Sequence, residues 1–447
     1  MNSRFRSKAT SAPFVFAVMC VLVLSSCGNS SNSSTTTAPT PAANNSVIVK
    51  AGFGPLGSTG GFFNGLFTTI TVCQHGTQTC VPITNVLVDT GSIGLRILGS
   101  AMGSVALSAI AVNGSPLQEC VQFGDTSYAW GPMAVADVDI GGETAPDIPV
   151  QLLQNNGFTV PSSCFFTSPL PGEGNDDTLQ SLGANGILGV GNGAVDGPWD
   201  FGSYYTCPGG ACSGPLEVST SVQDVNPVAM FTSTDRNGVM IMLPTVGATG
   251  AADATVSGTM TFGIATQADN ALNSATVYAM DACDDFPQVN FGGLAYQDTL
   301  CASTGSGMGG FMDTGSNALF VSDAATLGPP ISDCAMGTNG DGFYCVTGGG
   351  TDTLSSIQLI TNSGASTLLS LNIADGTTLI NTNNAVFNDL GGDSGTGPST
   401  DFFDFGLPFF LRGTPVFIGI TAPCINPGQC TTTGSFATAA PFGFVAF

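Results

Sequence analysis

The tetrapeptide Asp-Thr-Gly-Ser occurs twice in this chain, and each copy stands between two apolar runs. The copies are Asp89-Thr90-Gly91-Ser92 and Asp313-Thr314-Gly315-Ser316. A given four-residue string is expected by chance in roughly a few hundredths of chains of this composition, so two matched copies are a strong signal. Two adjacent carboxyl groups cannot both ionise easily, so they share one proton. We therefore predict paired-carboxylate chemistry, in which one aspartate removes a proton from water and the other polarises a carbonyl group.

Short strands must position these motifs. From Val47 onward, runs rich in Val, Ile, Phe and Thr are interrupted about every 8–12 residues by turn-forming residues, which is typical of β-proteins. The 61 glycines suit tight turns, and long helical patterns are scarce. The sequence therefore predicts an all-β fold.

The surroundings of the two motifs are also alike. Each motif follows a strand-like run, residues 85–88 or 310–312, and a later apolar segment ending in glycine answers it: Ile187-Leu188-Gly189 or Phe405-Gly406. The same parts in the same order indicate an internal duplication. We expect two β-barrel-like lobes, residues 47–245 and 246–447, with a cleft between them.

The first 46 residues have a different character. Three of the seven Lys and Arg residues precede the apolar run 14–24, which leads into Leu24-Ser25-Ser26-Cys27. This layout resembles a bacterial lipoprotein signal over residues 1–26, with cleavage before Cys27 and lipid on its sulfur; an ordinary secretory signal with an incidental cysteine is the alternative. Residues 27–46 are predicted to be a flexible tether. Because Gly28 and Asn29 are not the Asp of inner-membrane retention, we expect an outer-membrane or surface lipoprotein.

Charge narrows the range of partners. The chain has 31 acidic residues against 7 Lys and Arg, a formal net charge of −24. Nucleic acid is excluded as a partner on this ground, and membrane contact is expected only through the lipid. We expect a monomer that acts on a polypeptide. Acid should stabilise the protein because protonation removes self-repulsion among its carboxylates.

The 14 cysteines indicate disulfides rather than a metal site, since an exported protein meets an oxidising compartment. Zinc is the weaker alternative. After Cys20 and Cys27 are set aside, spacing suggests these pairs: Cys73–Cys80, Cys120–Cys164, Cys207–Cys212, Cys283–Cys301, Cys334–Cys345 and Cys424–Cys430.

Other sequence features are weak. The only histidine, His75, is predicted to lie in a surface loop, which argues against Ser-His-Asp or Cys-His catalysis. The acidic segments 281–285 and 389–404 are expected to be surface loops, with calcium binding as the alternative. We predict neither a metal nor a cofactor.

From about Val47 to Phe447 the chain resembles the pepsin-like aspartic peptidases. The paired Asp-Thr-Gly-Ser motifs are the most specific element of this resemblance. It implies that Asp89 and Asp313 are the catalytic aspartates. It also implies supporting roles for the hydroxyls and turn glycines of the two motifs, namely Thr90, Gly91, Ser92, Thr314, Gly315 and Ser316.

The resemblance extends to a hairpin that closes over the substrate in that family. Phe123-Gly124-Asp125-Thr126-Ser127 matches its tip, which implies substrate contacts for Phe123, Gly124 and Asp125, with Tyr128 and Trp130 as further contacts or ordinary strand aromatics. This chain departs from the family in having Phe123 in place of a Tyr and Arg96 in place of a Trp. Arg96 is expected to form either a structural ion pair or a contact with a carboxylate of the substrate or of this hairpin, the flap.

Two functions remain open at this stage. The first is an exported, lipid-anchored aspartic endopeptidase, because intact aspartates occur in both halves. The second is a weakly active or inactive protein of the same fold that binds a polypeptide or glycan, because the flap is altered. Residues 28–50 contain a single Lys, so we expect no basic prosegment.

Overall fold

A computed structural model gives the fold of the chain. It describes residues 44–59, 62–154, 157–164, 174–196, 202–281, 283–299, 309–322, 324–361, 366–394, 402–420 and 443–447. The fold is mostly β, as the sequence predicted. The predicted signal peptide and the lipidation site Cys27 lie outside the described residues, as does almost all of the tether.

The strands up to residue 262 form one extended sheet system. Gly141 and Gly142, both with positive φ, make the two-residue turn between the longest pair of strands. The strands are β1 (Ser46–Gly52), β2 (Gly65–Gln74), β3 (Cys80–Asp89), β4 (Ile93–Leu98), β5 (Ser108–Ala109), β6 (Ala111–Val112), β7 (Ser115–Gln122), β8 (Tyr128–Ile140), β9 (Glu143–Leu153), β10 (Gly186–Val190), β11 (Gly202–Thr206), β12 (Ser213–Leu216), β13 (Gly238–Met242) and β14 (Val256–Phe262).

Three of the later strands join this same sheet, and the others form smaller sheets. β16, β17, β22 and β23 make one sheet, and β18, β19, β24 and β25 make another. The strands are β15 (Val277–Ala279), β16 (Gln288–Phe291), β17 (Leu294–Gln297), β18 (Gly310–Asp313), β19 (Leu319–Val321), β20 (Ile331–Asp333), β21 (Tyr344–Val346), β22 (Thr351–Ile360), β23 (Ser366–Ala374), β24 (Gly391–Gly392), β25 (Phe403–Gly406), β26 (Val416–Gly419) and β27 (Phe444–Ala446).

Helices are single turns that connect strands. Thr178 caps the first through a reciprocal hydrogen bond with Ser181, and Asp375 caps the third by accepting from the Thr378 N–H at 2.7 Å. They are α1 (Leu179–Leu182), α2 (Ala324–Leu327), α3 (Gly376–Ile380) and α4 (Leu407–Phe410), with 3₁₀ turns at Gly57–Thr59, Gly99–Met102, Ser162–Cys164, Pro208–Gly210 and Pro227–Met230. No helix in the described part of the chain is long and apolar enough to span a membrane.

Strand register relates the two motif regions. β10 runs parallel to β3 and antiparallel to β4, with Gly189 opposite Asp89. β25 runs parallel to β18 and antiparallel to β19, with Gly406 opposite Asp313. Both motifs are therefore held by the same three-strand arrangement, in agreement with the repeated apolar-Gly segments seen in the sequence.

Strands from the two ends of the chain pair with each other. β1 pairs with β14, β13 pairs with β26, and β27 pairs with both β26 and β15. One large apolar core continues beneath these strands, from Val49 through Met260 to Val445. The two halves consequently share a backbone hydrogen-bond network as well as a core.

Four of the predicted disulfides are present: Cys73–Cys80, Cys120–Cys164, Cys207–Cys212 and Cys334–Cys345. Of the other predicted pairs, Cys301, Cys424 and Cys430 lie outside the described residues. The predicted surface position of His75 is confirmed, since 46% of its side chain is exposed and its Nδ1 lies 2.7 Å from Asp137.

Candidate active site

Each motif begins at the last residue of a strand. Asp89 ends β3 and Asp313 ends β18, and both are buried. Their carboxyl groups accept equivalent hydrogen bonds. The Gly91 N–H and Ser92 hydroxyl donate to Asp89 at 3.0 and 2.6 Å, and the Gly315 N–H and Ser316 hydroxyl donate to Asp313 at 2.7 and 2.8 Å. The turn that follows each strand therefore fixes the orientation of its aspartate.

The two threonines join the motifs to each other. The Thr90 hydroxyl donates to the carbonyl of Met312, and the Thr314 hydroxyl donates to the carbonyl of Val88, each at 2.8 Å. Each hydroxyl also accepts from the backbone N–H of the other threonine, at 3.2 and 3.0 Å. All these groups are buried. The threonines thus hold the ends of β3 and β18 side by side.

The two carboxyl groups meet at the turn glycines. A Cβ atom built on Gly91 would lie 2.5 Å from Cγ of Asp313. A Cβ atom built on Gly315 would lie 2.6 Å from Oδ1 of Asp89 and 3.0 Å from Oδ1 of Asp313. Because no real Cβ tolerates contacts that short, only glycine fits at these two positions. The structure therefore brings Asp89 and Asp313 together, along with every motif residue that the sequence singled out.

Asn64 adds another tie between the halves, one that the sequence did not reveal. Its side-chain amide donates to the carbonyl of Asn317 at 2.7 Å, directly after the second motif, and its Oδ1 accepts from the Phe387 N–H at 2.7 Å. An asparagine in a glycine-rich loop carries no signal for this role, because its partners are 253 and 323 residues away.

A buried ionic cluster lies behind the first motif. The Arg96 guanidinium on β4 lies 3.0 Å from Glu119 on β7, 3.1 Å from Asp196 and 3.7 Å from Asp224, and it donates to the carbonyl of Ile93 at 2.6 Å. All four charged side chains are fully buried. Of the two predicted roles for Arg96, the structure supports the structural ion pair, since the guanidinium has no surface with which to meet a substrate.

Protonation within this cluster follows from burial. Burial raises the pKa of Asp196 and of Asp224, and the Glu119 carboxylate raises both further. Burial alone would lower the pKa of Arg96, but the surrounding carboxylates raise it. The Tyr204 hydroxyl donates to Asp196 and accepts from the Asp224 N–H at 2.7 Å. The arginine therefore stays charged and carboxyl protons complete the charge balance.

The sequence predicted the hairpin between β7 and β8 but not the directions of its side chains. The Phe123 N–H donates to Ser127 at 2.9 Å, and Asp125 Oδ1 accepts from the Ser127 hydroxyl at 2.6 Å, which closes the tip. Phe123 is 0% exposed within an apolar cluster that includes Phe67 and Leu87, and Trp130 is 1% exposed against Tyr205 and the Cys120–Cys164 disulfide.

The predicted substrate contact of Phe123 therefore needs correction, because its side chain faces the core, and of the two alternatives for Trp130 the structure supports the ordinary strand aromatic. Gly124 and Asp125 lie at the half-exposed tip. Tyr128 is half-buried, and its backbone N–H donates to Gly174 at 3.1 Å. Burial and the nearby Asp177 and Asp176 raise the pKa of its hydroxyl. Tyr128 is thus the hairpin aromatic whose side chain remains accessible.

The acidic segments also differ from expectation. Asp285, Asp389 and Asp404 are buried rather than on the surface. Within the described ranges, no three His, Cys, Asp or Glu side chains come together closely enough to hold a metal ion. Asp284 and Asp285 instead line a small cavity together with the first motif, Thr90 to Ser92, and with Ile93, Asn192, Phe311 and Met312.

Comparison with known proteins gives a family but no function. The sequence model of a family described as "Protein of unknown function (DUF3443)" matches residues 41–437. No curated protein matches the sequence. Among solved structures, the aspartic proteinase from Irpex lacteus is similar at 16% identity and a TM-score of 0.38, over 84% of this chain and 94% of that one. At that distance the likeness bears on neither activity nor substrate.

Proposed function

We propose that this chain, which belongs to the family described as proteins of unknown function (DUF3443), is a pepsin-like aspartic endopeptidase. The observation that supports the proposal is the paired geometry of Asp89 and Asp313. Each carboxyl group accepts from a serine hydroxyl and a glycine N–H, and the two meet at Gly315. A protein that only binds a ligand has no need for two matched, buried acids.

The chemistry follows from the two carboxyl groups. Two adjacent carboxyl groups in one site favour holding a single proton between them. The charged one can take a proton from a water molecule while the protonated one donates a hydrogen bond to the scissile carbonyl. Water then adds directly to the peptide carbon, and protonation of the amine completes cleavage without an acyl-enzyme. The hydrogen bonds from the motif turns fix both groups in advance of the reaction.

The two aspartates have nearly equivalent surroundings, so neither is assigned permanently as the acid or as the base. Asp89 and Asp313 have equivalent strands, turns and donors. We propose that Asp89 and Asp313 exchange the acid and base roles during one catalytic cycle.

We also propose that the protein is exported as a lipoprotein anchored through Cys27 and that it acts on polypeptides as a monomer. Four disulfides support an oxidising compartment. The apolar run before Cys27 supports the lipid anchor.

One observation favours a second candidate, a binding protein with little activity. The hairpin tip carries Phe123, which is buried and has no hydroxyl with which to orient a substrate. In that case both aspartates would be dispensable for ligand binding.

Cleavage of a mixed peptide library by the purified protein between about pH 3 and pH 7 separates these candidates. We expect cleavage that a peptide mimic of the tetrahedral intermediate inhibits. Asp89→Asn and Asp313→Asn should each abolish cleavage, because asparagine cannot replace an acid that gives or takes a proton. Asp333→Asn, at an exposed position on β20, is the matched control and should retain full activity. An Asp89→Asn variant as active as the wild type would refute the peptidase.

A further inference from the structure

The cavity beside the paired aspartates has one acidic wall. The motif residues Thr90, Gly91 and Ser92 line it together with Asp284 and Asp285. The chain after β10 is joined to the motif at this cavity, because the Gly191 N–H donates to the Ser92 carbonyl at 2.9 Å. Oδ2 of Asp284 lies 3.3 Å from the position that a Cβ on Gly193 would take. Gly91, which lines the cavity, lies against Asp313, since a Cβ built on it would be 2.5 Å from the Asp313 Cγ, so the cavity adjoins the paired aspartates.

Asp285 is buried without compensation. It is 5% exposed, and its side chain makes neither a hydrogen bond nor an ion pair with any part of the chain that the structure describes. Its neighbours are acids: burial raises its pKa, and Asp281, Asp298 and Asp284 raise it further. Asp285 lines the cavity, but no Lys or Arg side chain of the described residues lies close enough to balance its charge.

A cation would supply the missing positive charge, and two of the described arginines already have other partners. Arg96 lies in its own cluster, and Arg412 stacks 4.3 Å from the centre of the Phe409 ring. A bound metal ion does not fit, since calcium requires about 6–8 oxygen ligands and no three candidate ligands converge among the residues that the structure describes. An ammonium or guanidinium group needs only one or two carboxylate partners.

We infer that this cavity is a specificity pocket for a basic side chain of the polypeptide substrate, with Asp285 as its principal partner and Asp284 as the second. The apolar walls suit the long aliphatic stem of lysine or arginine, because Ile93 and Phe311 line the same cavity. This inference rests on the proposed peptidase function and adds the class of substrate. The overall negative charge of the protein would further attract a basic polypeptide.

Matched peptides test the pocket. In this series of peptides, one position at a time carries either lysine or its uncharged isostere norleucine. The varied positions run from three residues before the cleaved bond to three residues after it. At one position next to the cleaved bond, the wild type should show a kcat/KM at least about tenfold higher for lysine. Asp285→Asn should reduce this preference to less than about threefold while still cleaving the norleucine peptide. Asp284→Asn should reduce it partly, and Asp333→Asn should leave it unchanged.

Equal cleavage of lysine and norleucine peptides by the wild type, or an undiminished preference in Asp285→Asn, would overturn the pocket. A preference that appears only with added calcium would also overturn it. Binding of the same peptides to Asp89→Asn separates this inference from the proposed function. If the wild type cleaves nothing, the peptidase fails. Lysine-dependent binding that Asp285→Asn or Asp284→Asn removes would then still establish the pocket, and its absence would exclude it.

Discussion

Thr90 and Thr314 form a reciprocal pair at the centre of the molecule. Each hydroxyl donates to the backbone carbonyl next to the other's aspartate, at 2.8 Å, and accepts from the other's backbone N–H. These contacts join residues 222 to 226 positions apart in the chain.

Replacing either threonine by valine should weaken this junction. Valine keeps the shape but leaves a buried carbonyl and a buried N–H without partners, which costs about 1–3 kcal/mol in the free energy of unfolding. The double variant should cost less than the sum of the single variants, because both remove the same network. Denaturant unfolding of the single and double variants measures this coupling. Additive costs would show that the threonines act independently.

Gly91→Ala should abolish peptide cleavage but have a smaller effect on the stability of the fold. Its Cβ would lie 2.5 Å from the Asp313 Cγ, so the two carboxyl groups must move apart. A displacement of about 1 Å can reduce the rate of a positioned reaction roughly 100-fold. Gly247→Ala is the control, since a Cβ there meets nothing within 4 Å. Peptide cleavage and the unfolding midpoint are measured together, and a fully active Gly91→Ala would contradict the proposed geometry.

Arg96→Met should destabilise the fold strongly. It leaves Glu119, Asp196 and Asp224 buried without their shared cation, and removal of one partner of a buried ion pair costs about 3–5 kcal/mol. Arg236→Met, at an exposed position, should change stability by less than about 0.5 kcal/mol. Urea unfolding near neutral pH compares the two variants. The loss in Arg96→Met should shrink as the pH falls, because the remaining acids become protonated.

Stability should rise as the pH falls from about 8 to about 5. Burial and Asp298 raise the pKa of Asp281 to about 7, and burial raises the pKa of Asp389 to about 6. Both groups titrate near about 4 in an unfolded chain, so the folded state holds more protons between these values, and raising the pH through them costs stability. We expect a difference of about 1–3 kcal/mol across this range.

Asp281→Asn isolates one of these contributions. The asparagine oxygen can still accept from the N–H groups of Cys283 and Asp285, which the Asp281 carboxyl now serves at 2.9 and 3.2 Å. The variant should show a flatter dependence of unfolding midpoint on pH than the wild type, whereas Asp333→Asn should follow the wild-type curve. A profile equally steep in Asp281→Asn would assign the effect to other acids.

The sequence was informative about features that depend on residues close together in the chain. The paired motifs, the glycines that answer them and the four short or moderate disulfides all follow from composition and spacing. Residue type also marked Arg96 as unusual, although its partners could not be identified. Glu119, Asp196 and Asp224 lie 23, 100 and 128 residues from Arg96, and nothing in their local sequence connects them to it.

The direction of the side chains was the main feature that could not be predicted from the sequence. Phe123 and Trp130 lie on either side of the turn between β7 and β8, and a change of one residue in strand register reverses which face each side chain occupies. The burial of several acids was also not predicted, because the residues around them are distant in the sequence. Asp285 belongs to a run of acids that is typical of surface loops, but the cavity wall beside it comes from residues nearly 200 positions earlier.

The reciprocal hydrogen bonds of Thr90 and Thr314 also determine when during synthesis the site can form. A ribosome that has made the first 300 residues has produced Thr90, but the carbonyl of Met312 that its hydroxyl needs does not yet exist. The glycine opposite Asp313 is Gly406, close to the end of the chain. A product that ends before Asp313 therefore lacks one of the two acids, and the pair forms only after both motif regions, from β3 to β25, have been synthesised and folded.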